Sequence, residues 1–267
     1  MLDERDQYLL ELKNKIHSAS AWNSPQMLEL YQEYVSEAVV ADSVTWLAGY
    51  AGMFGQECWK AELLDGWKVI EMIYPPESDK TGKVAYAEYM QFAKTHGIDA
   101  LTEVALDTTG KTRVVHIDDI DWEKFKTHPE KKKFYERFDI GQRMLGVYHL
   151  HEQAESYLII DRVPGGPPFS GEDRENLYQA LCEFPRVHHW LMLERGLVPP
   201  AGRPIMPRYQ EILKLLQQNL SEKDIAERLN LSAGTVHGYV IDIYKTFNVN
   251  SRAELMSLWF QATTTVG

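Results

Sequence analysis

The chain has 267 residues, 44% of them hydrophobic and 11% aromatic, and a formal net charge of −11 at pH 7. This composition is typical of a folded globular protein and excludes a disordered chain, and the acidic balance disfavours a protein that wraps nucleic acid over its whole surface. Every apolar run is shorter than a membrane span, and the charged, amphipathic start MLDERDQYLLELKNK is unlike a signal peptide, so we expect a cytoplasmic location.

The first part of the chain combines helical and strand patterns. Helices are predicted over Asp3 to Ala19 and over Pro25 to Glu37. Two strand-like stretches follow, SVTWLAGYAG at 43–52 and CWKAELLDGWKVIEMIYP at 58–75. The Asp-Gly pair at 65–66 predicts a hairpin turn within the second stretch.

The middle of the chain continues this alternation. A helix is predicted from Lys83 to Thr95, a strand at VVHID (114–118) and a charged, mostly helical segment over 121–138. RMLGVYHLH at 143–151 and ESYLIID at 155–161 are close enough to form a second hairpin.

A long helical pattern closes this part of the chain, from Ser170 to Gly196, with a bend expected at Pro185. Antiparallel strands with helices at both ends predict an α+β sensor domain.

A boundary is visible after this helix, because the stretch ERGLVPPAGRPIMPR at 194–208 contains four prolines and two glycines and has no periodicity. Such a stretch is typical of a linker. We therefore divide the chain into a sensor and dimerisation domain at 1–195, a linker at 196–206 and a helical domain at 207–267.

The helical domain has clear start signals. Pro207 opens an amphipathic helix, Ser221 and Asp224 form a capping box for a second helix, and Ser232 is placed to cap a third. In the third helix, apolar residues at i, i+4, i+7 and i+11 form one buried face: Val236, Val240, Ile243 and Phe247. Two helices joined by the short link LNLS predict a helix-turn-helix motif at about 222–241.

The run from about Met206 to Gln261 resembles the LuxR-type helix-turn-helix of bacterial transcription factors, through LSEKDIAERLNLSAGTV, the Asn-Val pair at 248–249 and SRAEL at 251–255. The resemblance implies a four-helix domain that reads the major groove with its third helix and dimerises through its last. Its implied partners are double-stranded DNA, a second copy of the chain and RNA polymerase. By position, the resemblance implies DNA contact by Lys223, Ser232, Thr235, His237, Tyr239 and Lys245. The outward face of the third helix adds Gly234, Gly238 and Ile241 as candidates. The implied dimer contacts in the last helix are Leu255, Leu258 and Trp259.

The chain departs from the family pattern on this helix. The family usually has Lys where this chain has His237, often His where it has Tyr239, and a polar residue where it has Gly238. Arg, Lys, Asn and Gln make the strong paired hydrogen bonds to bases, and the N-terminal end of this helix has none of them. From Arg203 onward seven basic and six acidic residues give a net charge of +1, so electrostatic attraction to DNA is weak. We therefore expect specificity from close backbone approach, thymine-methyl contact and DNA shape.

The sensor domain carries a second resemblance. The stretch DRVPGGPPFSGEDRENLYQALCEFPRVHH, residues 161–189, is similar to the closing strand, loop and last helix of the GAF-like domains that precede LuxR-type helix-turn-helix segments. A PAS-like fold is the alternative.

Aromatic residues on the first strands are the candidates for a ligand site: Trp46, Tyr50, Trp59, Trp67 and Tyr74. Either they form core or they line a cavity for a flat, partly apolar small molecule. The Trp, Tyr, Asp, Trp arrangement of the acyl-homoserine-lactone sensors does not align here, which disfavours a lactone. No cofactor is evident and no metal is expected, because His149 and His151 lack a third ligand at a suitable spacing.

Two other functions compete with a ligand-controlled DNA-binding regulator. A protein-interaction regulator, whose helix-turn-helix has weak or no DNA binding, is favoured by the thin basic face around His237 and Gly238. A phospho-regulated response regulator is suggested by Asp161, followed by a Pro-Gly loop, but too few residues separate Asp161 from Pro207 for the rest of a receiver domain. An enzyme is not indicated, since a nucleophile elbow, a Walker loop and an H-E-x-x-H motif are all missing from the sequence.

Overall fold

The computed structural model describes residues 3–19, 23–52, 64, 66–75, 79–116, 119–120, 135–201 and 203–261. The chain divides into two compact units. Unit 1 comprises Met1–Ser18 and Leu28–Phe184, and unit 2 comprises Ala19–Met27 and Pro185–Gly267. Within the described ranges, no helix is both long enough and apolar enough to cross a membrane.

The elements up to Phe184 follow the predicted order. The helices are α1 (Glu4–Ser18), α2 (Ser24–Val39), α3 (Asp79–His96), α4 (Ala100–Asp107) and α5 (Gly171–Glu183). The strands are β1 (Ser43–Ala51), β2 (Trp67–Ile73), β3 (Arg113–Val115), β4 (Gln142–His151) and β5 (Ala154–Arg162).

Some predicted elements differ from the observed ones. α3 is longer than the predicted helix at 83–95, because it begins at Asp79. α4 was not predicted, although Asp99 caps it by accepting hydrogen bonds from the amides of Leu101 and Thr102. The strand and turn predicted for 58–66, and the charged helix predicted for 121–138, fall largely outside the described residues.

The five strands form one sheet in the order β2-β1-β5-β4-β3, and every neighbouring pair is antiparallel. This confirms the predicted α+β class, an antiparallel sheet flanked by helices. The hairpin predicted between β4 and β5 is also confirmed. The choice between a GAF-like and a PAS-like fold stays a prediction.

One face of the sheet is closed by helices. Alternate residues of β1 are buried on it, and Trp46 donates a hydrogen bond from Nε1 to Ser156 Oγ at 2.8 Å. Gln32 of α2 ties the helix to this region by donating to the carbonyl of Val44 at 2.8 Å. α5 packs so closely that a Cβ built on Gly146 would lie 3.2 Å from a side-chain carbon of Leu177. A larger residue at this point in β4 would therefore need the Leu177 side chain to shift by a few tenths of an ångström.

The opposite face is covered by α3 and α4. Leu101 and Ala105 of α4 form one apolar cluster with Leu145 and Tyr157 of the sheet. Met90 of α3 belongs to a second cluster, together with Leu64 and Trp67. This face differs from the first because it also encloses a cavity, which is described below.

The helices from Pro185 onward are α6 (Pro185–Leu193), α7 (Pro207–Gln217), α8 (Glu222–Leu229), α9 (Ala233–Thr246) and α10 (Arg252–Gln261). α5 and α6 are the two halves of the predicted long helix, and the break falls at Phe184, directly before Pro185. α7 to α10 confirm the four predicted helices of the helical domain.

The proline-rich segment predicted as a linker is packed rather than exposed over much of its length. Its buried residues are Leu197, Val198, Ala201 and Ile205. The amide of Ile205 donates to the carbonyl of Arg195 at 3.0 Å, which ties the two ends of this segment together. The predicted domain boundaries at 195 and 207 stay predictions.

Candidate DNA interface and sensor cavity

α8 and α9 have the local geometry of a helix-turn-helix. Ser221 accepts from the amide of Asp224 and the Asp224 carboxylate accepts from the amide of Ser221, so the predicted capping box is formed. Asn230 ends α8 in the left-handed conformation, at φ 52°, and turns the chain toward α9. Ser232 caps α9 by accepting from the amide of Thr235 at 3.0 Å.

α9 has one buried and one exposed face. The stripe that was predicted to be buried, Val236, Val240, Ile243 and Phe247, is at most 1% exposed. The candidate DNA-contacting residues on the outward side are all exposed: Lys223, Ser232, Gly234, Thr235, His237, Gly238, Ile241 and Lys245. α9 therefore presents its outer face to solvent while its inner face is held in a core.

Tyr239 is placed differently from the other candidates. It is half-buried, and its ring centroid lies 5.4 Å from that of Tyr209 on α7. Tyr209 in turn donates a hydrogen bond to Asp242 Oδ2 at 3.3 Å. Tyr239 therefore holds α9 against α7 with part of its ring, and only the remaining part is available to a partner.

The outward surface also carries an acidic residue that was not among those predicted from the sequence. Glu222, the first residue of α8, contacts His237 of α9, with 3.0 Å between Oε2 and Nδ1. Lys245 lies 3.6 Å from Asp242 Oδ1. The cations of this surface are thus accompanied by carboxylates, which agrees with the small net charge of this part of the chain.

The predicted dimer contacts lie mostly in the protein interior. Leu255 and Trp259 have no exposed surface, and Leu258 is half-buried. The Trp259 carbonyl accepts a hydrogen bond from Trp190 Nε1 at 3.0 Å, and its ring lies 6.1 Å from that of Phe247. Leu255 and Trp259 are therefore core residues of this chain. Phe260 of α10 is a large apolar residue that is 63% exposed.

Unit 1 contains a cavity of about 330 Å³ between the sheet and α3 and α4. Its walls are mainly apolar and aromatic. The lining residues from the sheet include Thr45, Leu47, Gly49, Val69, Met72, Leu145 and Ile159, and those from the helices include Gly82, Ala85, Tyr86, Tyr89, Met90 and Thr102. A Cβ built on Gly49 would lie 2.7 Å from a ring carbon of Tyr157, and one built on Gly82 would meet the ring of Tyr74, so these two glycines allow aromatic rings of the wall to pack against the backbone.

Only some of the aromatic residues predicted for a ligand site reach this cavity. Trp67 and Tyr74 line it. Trp46 and Tyr50 are buried and are not among its lining residues, and Trp46 is fixed by its bond to Ser156. Trp59 lies outside the described residues. Trp46 is therefore a core residue, which is one of the two roles expected for these aromatic residues, the other being to line a ligand cavity.

Two carboxylates in the cavity wall accept hydrogen bonds from neighbouring side chains. Asp99 Oδ2 accepts hydrogen bonds from Tyr89 at 2.6 Å and from the Thr102 hydroxyl at 2.7 Å. Arg143 and Asp161 form an ion pair, with 2.7 Å from Nε to Oδ1 and 2.8 Å from Nη2 to Oδ2. Both oxygens of Asp161, the candidate phosphoacceptor, are thus held by Arg143.

The helix side of the cavity was missed in the sequence. Gly82, Ala85, Tyr86 and Tyr89 recur at i, i+3, i+4 and i+7, which places them on one face of α3. This period was a usable signal. The two histidines considered as metal ligands, His149 and His151, belong to no group of three metal-ligating side chains among the described residues.

Comparisons with known proteins agree with the helix-turn-helix geometry. The family model of bacterial regulatory proteins of the luxR family matches residues 205–259, which span α7 to α10 up to Trp259. A search of curated proteins returns no significant match.

The solved structures that align with the chain include the following three. The crystal structure of Escherichia coli SdiA aligns at 15% identity and a TM-score of 0.42, covering 98% of each chain. SdiA in complex with octanoyl-rac-glycerol aligns at 15% identity and a TM-score of 0.43, covering 98% of this chain and 97% of that chain. The LBD domain of VqsR from Pseudomonas aeruginosa aligns at 13% identity and a TM-score of 0.39, covering 70% of this chain and 96% of that chain. Residues 205–259 are thus a helix-turn-helix domain of the luxR family, and the chain is a DNA-binding transcription regulator.

Proposed function

We propose that the chain binds specific DNA sequences as a dimer through α9, under the control of a small molecule held in the cavity of unit 1. The observation that supports this proposal is the difference in burial between the two faces of α9. The inner face is buried, and the outer face, from Gly234 to Lys245, is exposed apart from the half-buried Tyr239. Such a helix is suited to enter a major groove.

We propose dimerisation because a single copy has few basic residues with which to contact DNA. From Arg203 onward the net charge is only +1, and Lys245 and His237 both lie beside carboxylates. The salt-dependent part of the affinity comes from phosphate contacts by basic residues, so it is small for one subunit. Two subunits on one duplex add their contacts, and a two-fold symmetric site follows from a two-fold symmetric protein. Since Leu255 and Trp259 are core residues, the last-helix contact that we propose uses Leu258 and Phe260.

Control by a small molecule is proposed from the size and chemistry of the cavity. A volume of about 330 Å³ lies within the usual range of ligand pockets, roughly 300–1,000 Å³. Asp161 neutralises Arg143, and Asp99 is satisfied by Tyr89 and Thr102, so an uncharged, mainly apolar molecule is best matched to these walls. Binding to one arrangement of the sensor would shift its population and with it the affinity for DNA.

The DNA-binding part is tested by incubating the full chain with a pool of random-sequence duplexes and sequencing the bound fraction. Enrichment of a two-fold symmetric motif supports a dimeric regulator. Enrichment of a single half-site contradicts the dimer, and enrichment of nothing contradicts specific DNA binding.

The sensor part is tested with the uncharged fluorescent dye prodan as a probe of the cavity. We expect the dye to bind the full chain with increased emission and Ala85→Phe to abolish this binding, because the new ring fills the cavity. Val84 is its neighbour on α3 and is 52% exposed, so Val84→Phe is the matched control and should bind the dye normally. Equal dye binding by both variants contradicts a ligand site in this cavity.

A protein-interaction regulator is the second candidate. It is favoured by one observation, the acidic Glu222 and the smooth stretch of Gly234, Gly238 and Ile241 on a surface that DNA would have to meet. The selection experiment separates the two functions, since this candidate predicts that no DNA sequence is enriched.

A further inference from the structure

Arg143 keeps hydrogen-bond donors available in the wall of the cavity of unit 1. A guanidinium has five N–H donors. Asp161 accepts one from Nε and one from Nη2, which leaves both hydrogens of Nη1. In the part of the chain that the structure describes, Nη1 donates to no other residue, and the atom is not fully buried. Because Arg143 lines the cavity, a molecule inside it can accept from this nitrogen.

Asp161 fixes the direction of these donors. It holds the guanidinium from one side, through two bonds of 2.7 and 2.8 Å, so the planar group cannot turn without breaking both. The central carbon of the guanidinium also lies 5.7 Å from the centroid of the Tyr135 ring. A donor that is already held in place loses little freedom when it binds a ligand.

Asp99, a second carboxylate of the wall, offers nothing further to a ligand. Its Oδ1 accepts from the amides of Leu101 and Thr102 at 3.1 and 3.2 Å. Its Oδ2 accepts from the hydroxyls of Tyr89 and Thr102 at 2.6 and 2.7 Å. A carboxylate has about four acceptor positions, so all of them are used. Asp99 therefore has no place for a ligand donor, whereas Arg143 has donors for a ligand acceptor.

The end of the cavity away from Arg143 is apolar and aromatic. Along β5 the cavity extends from Asp161 past Ile159 to Tyr157, which is about 13 Å at the usual rise of a strand. Leu47 is the partner of Tyr157 on β1, and it lines the same end together with Trp67. A molecule that matches this space is elongated, with an acceptor at one end and an apolar body.

We propose that Arg143 selects the ligand of this cavity, because Nη1 donates a hydrogen bond to the carbonyl oxygen of an uncharged, elongated molecule whose apolar body extends toward Tyr157. This deepens the proposed function and rests on it. A neutral carbonyl is favoured over a carboxylate, since Asp161 already supplies a negative charge beside the guanidinium. A hydrogen bond from a charged donor is about twice as strong as one between neutral groups. A molecule without an acceptor would remove water from Nη1 and give it no partner.

The test compares two dyes of nearly equal shape, prodan, which contains a ketone, and its analogue in which a propyl group replaces the propionyl group. Fluorescence titration gives the affinity of the full chain for each dye. The more apolar analogue gains in any apolar cavity, so the informative quantity is the selectivity, the Kd of the analogue divided by the Kd of prodan. We expect Arg143→Met combined with Asp161→Leu to reduce this selectivity about tenfold or more relative to wild type. Both residues are replaced, because removing one would leave an unpaired charge.

A matched control removes an ion pair outside the cavity wall. Lys13 of α1 and Glu183 of α5 are 2.7 Å apart and are not among the lining residues, so Lys13→Met combined with Glu183→Leu should keep the wild-type selectivity. Unchanged selectivity in the variant at Arg143 and Asp161, with both dyes bound, overturns the inference and leaves the ligand site standing. Failure of both dyes to bind wild type overturns the ligand site and the inference with it.

A second measurement uses the wild-type chain alone, so it does not depend on the folding of a variant. The carbonyl stretching band of bound prodan is obtained as the infrared difference between dye with and without an isotope label on the carbonyl carbon. We expect this band at a lower frequency than in an apolar, aprotic solvent, because a hydrogen bond from Arg143 weakens the C=O bond. A band at the frequency of the apolar solvent overturns the inference.

Discussion

Arg143 and Asp161 are cross-strand partners on β4 and β5, and their side chains form a two-bonded ion pair in the wall of the cavity of unit 1. The pair is mostly shielded from solvent, at 17% and 21% exposure. Burial by itself lowers the pKa of Arg143, but the charge and hydrogen bonds of Asp161 outweigh it, so that the pKa is raised above its ordinary value. Arg143 therefore stays charged and depends on Asp161 for compensation.

Removing this compensation should destabilise unit 1. We expect Asp161→Asn to lower the free energy of unfolding by about 2 kcal/mol, less than for a fully buried pair because some solvent reaches both groups. The measurement is urea unfolding of the full chain. Glu88→Gln breaks the ion pair with Arg137, which is 63% exposed, and should cost less than about 0.5 kcal/mol. Similar losses in the two variants would show that the pair in the cavity wall is not shielded as described.

The ion pair also bears on the alternative of phosphorylation. Both oxygens of Asp161 accept hydrogen bonds from Arg143, so the nucleophile that a receiver domain needs is already engaged. We expect incubation with acetyl phosphate to produce no acid-labile acyl phosphate on this residue. Label that is retained by wild type and lost in Asp161→Asn would contradict this expectation.

Close packing at Gly146 gives a second test of the sheet. A Cβ at this position would lie 3.2 Å from Leu177 of α5, so Gly146→Ala should lower the free energy of unfolding by about 1–3 kcal/mol. Gly171, in the first turn of α5, has nothing within 4 Å of a built Cβ, so Gly171→Ala is the matched control and should be neutral or slightly stabilising. A neutral Gly146→Ala would mean that the Leu177 side chain, or α5 with it, gives way to the added methyl group.

The helix-turn-helix could be predicted from the sequence because its signals are local. Ser221 and Asp224 cap α8, Ser232 caps α9, and one apolar stripe fixes the inner face of α9, all within a few residues of one another. The same holds for the β4–β5 hairpin. Each of these elements depends on neighbours in the sequence, so reading the chain in order is sufficient.

The cavity could not be predicted in the same way because it depends on strand register. The pairing of β1 and β2 shifts between Ala48 and Gly49. Met72 pairs with β1 before this shift and Val69 pairs with it after the shift. In a regular strand these two residues would point to opposite faces of the sheet, but here both line the cavity. Trp46 and Trp67, which look alike in the sequence, consequently have different roles. The contact of Glu222 with His237 was missed for a similar reason, since it joins residues of two helices whose relative position no periodicity gives.

The acid sensitivity of unit 2 should reflect His188. Its side chain has no exposed surface, and burial lowers its pKa from 6.5 to about 3. Below about pH 6.5 the unfolded chain takes up a proton at this residue and the folded chain does not. Its contribution therefore reduces stability as the pH falls, by about 1.4 kcal/mol per pH unit, and adds no pH dependence above that range.

Urea unfolding at about pH 7.5 and about pH 5.5 checks this prediction. His188→Leu should lose stability more slowly than wild type on acidification, whatever its stability at the higher pH. His96 is exposed, so His96→Gln is the control and should follow the wild-type change. If the pH dependence of His188→Leu equals that of wild type, the histidine is not held neutral by burial.

Gly238 tests whether DNA approaches the backbone of α9. A Cβ at this position meets nothing within 4 Å, so Gly238→Ala introduces no clash in the free protein and should raise the free energy of unfolding by roughly 0.5–1 kcal/mol through helix propensity. In the complex the methyl group would lie where we expect the DNA surface to approach most closely, and affinity for the enriched duplex should fall by about tenfold, or 1.4 kcal/mol. Gly171→Ala, far along the chain in unit 1, should leave DNA affinity unchanged. A variant that is more stable and binds DNA as well as wild type would show that side chains such as His237, and not close backbone approach, carry the specificity.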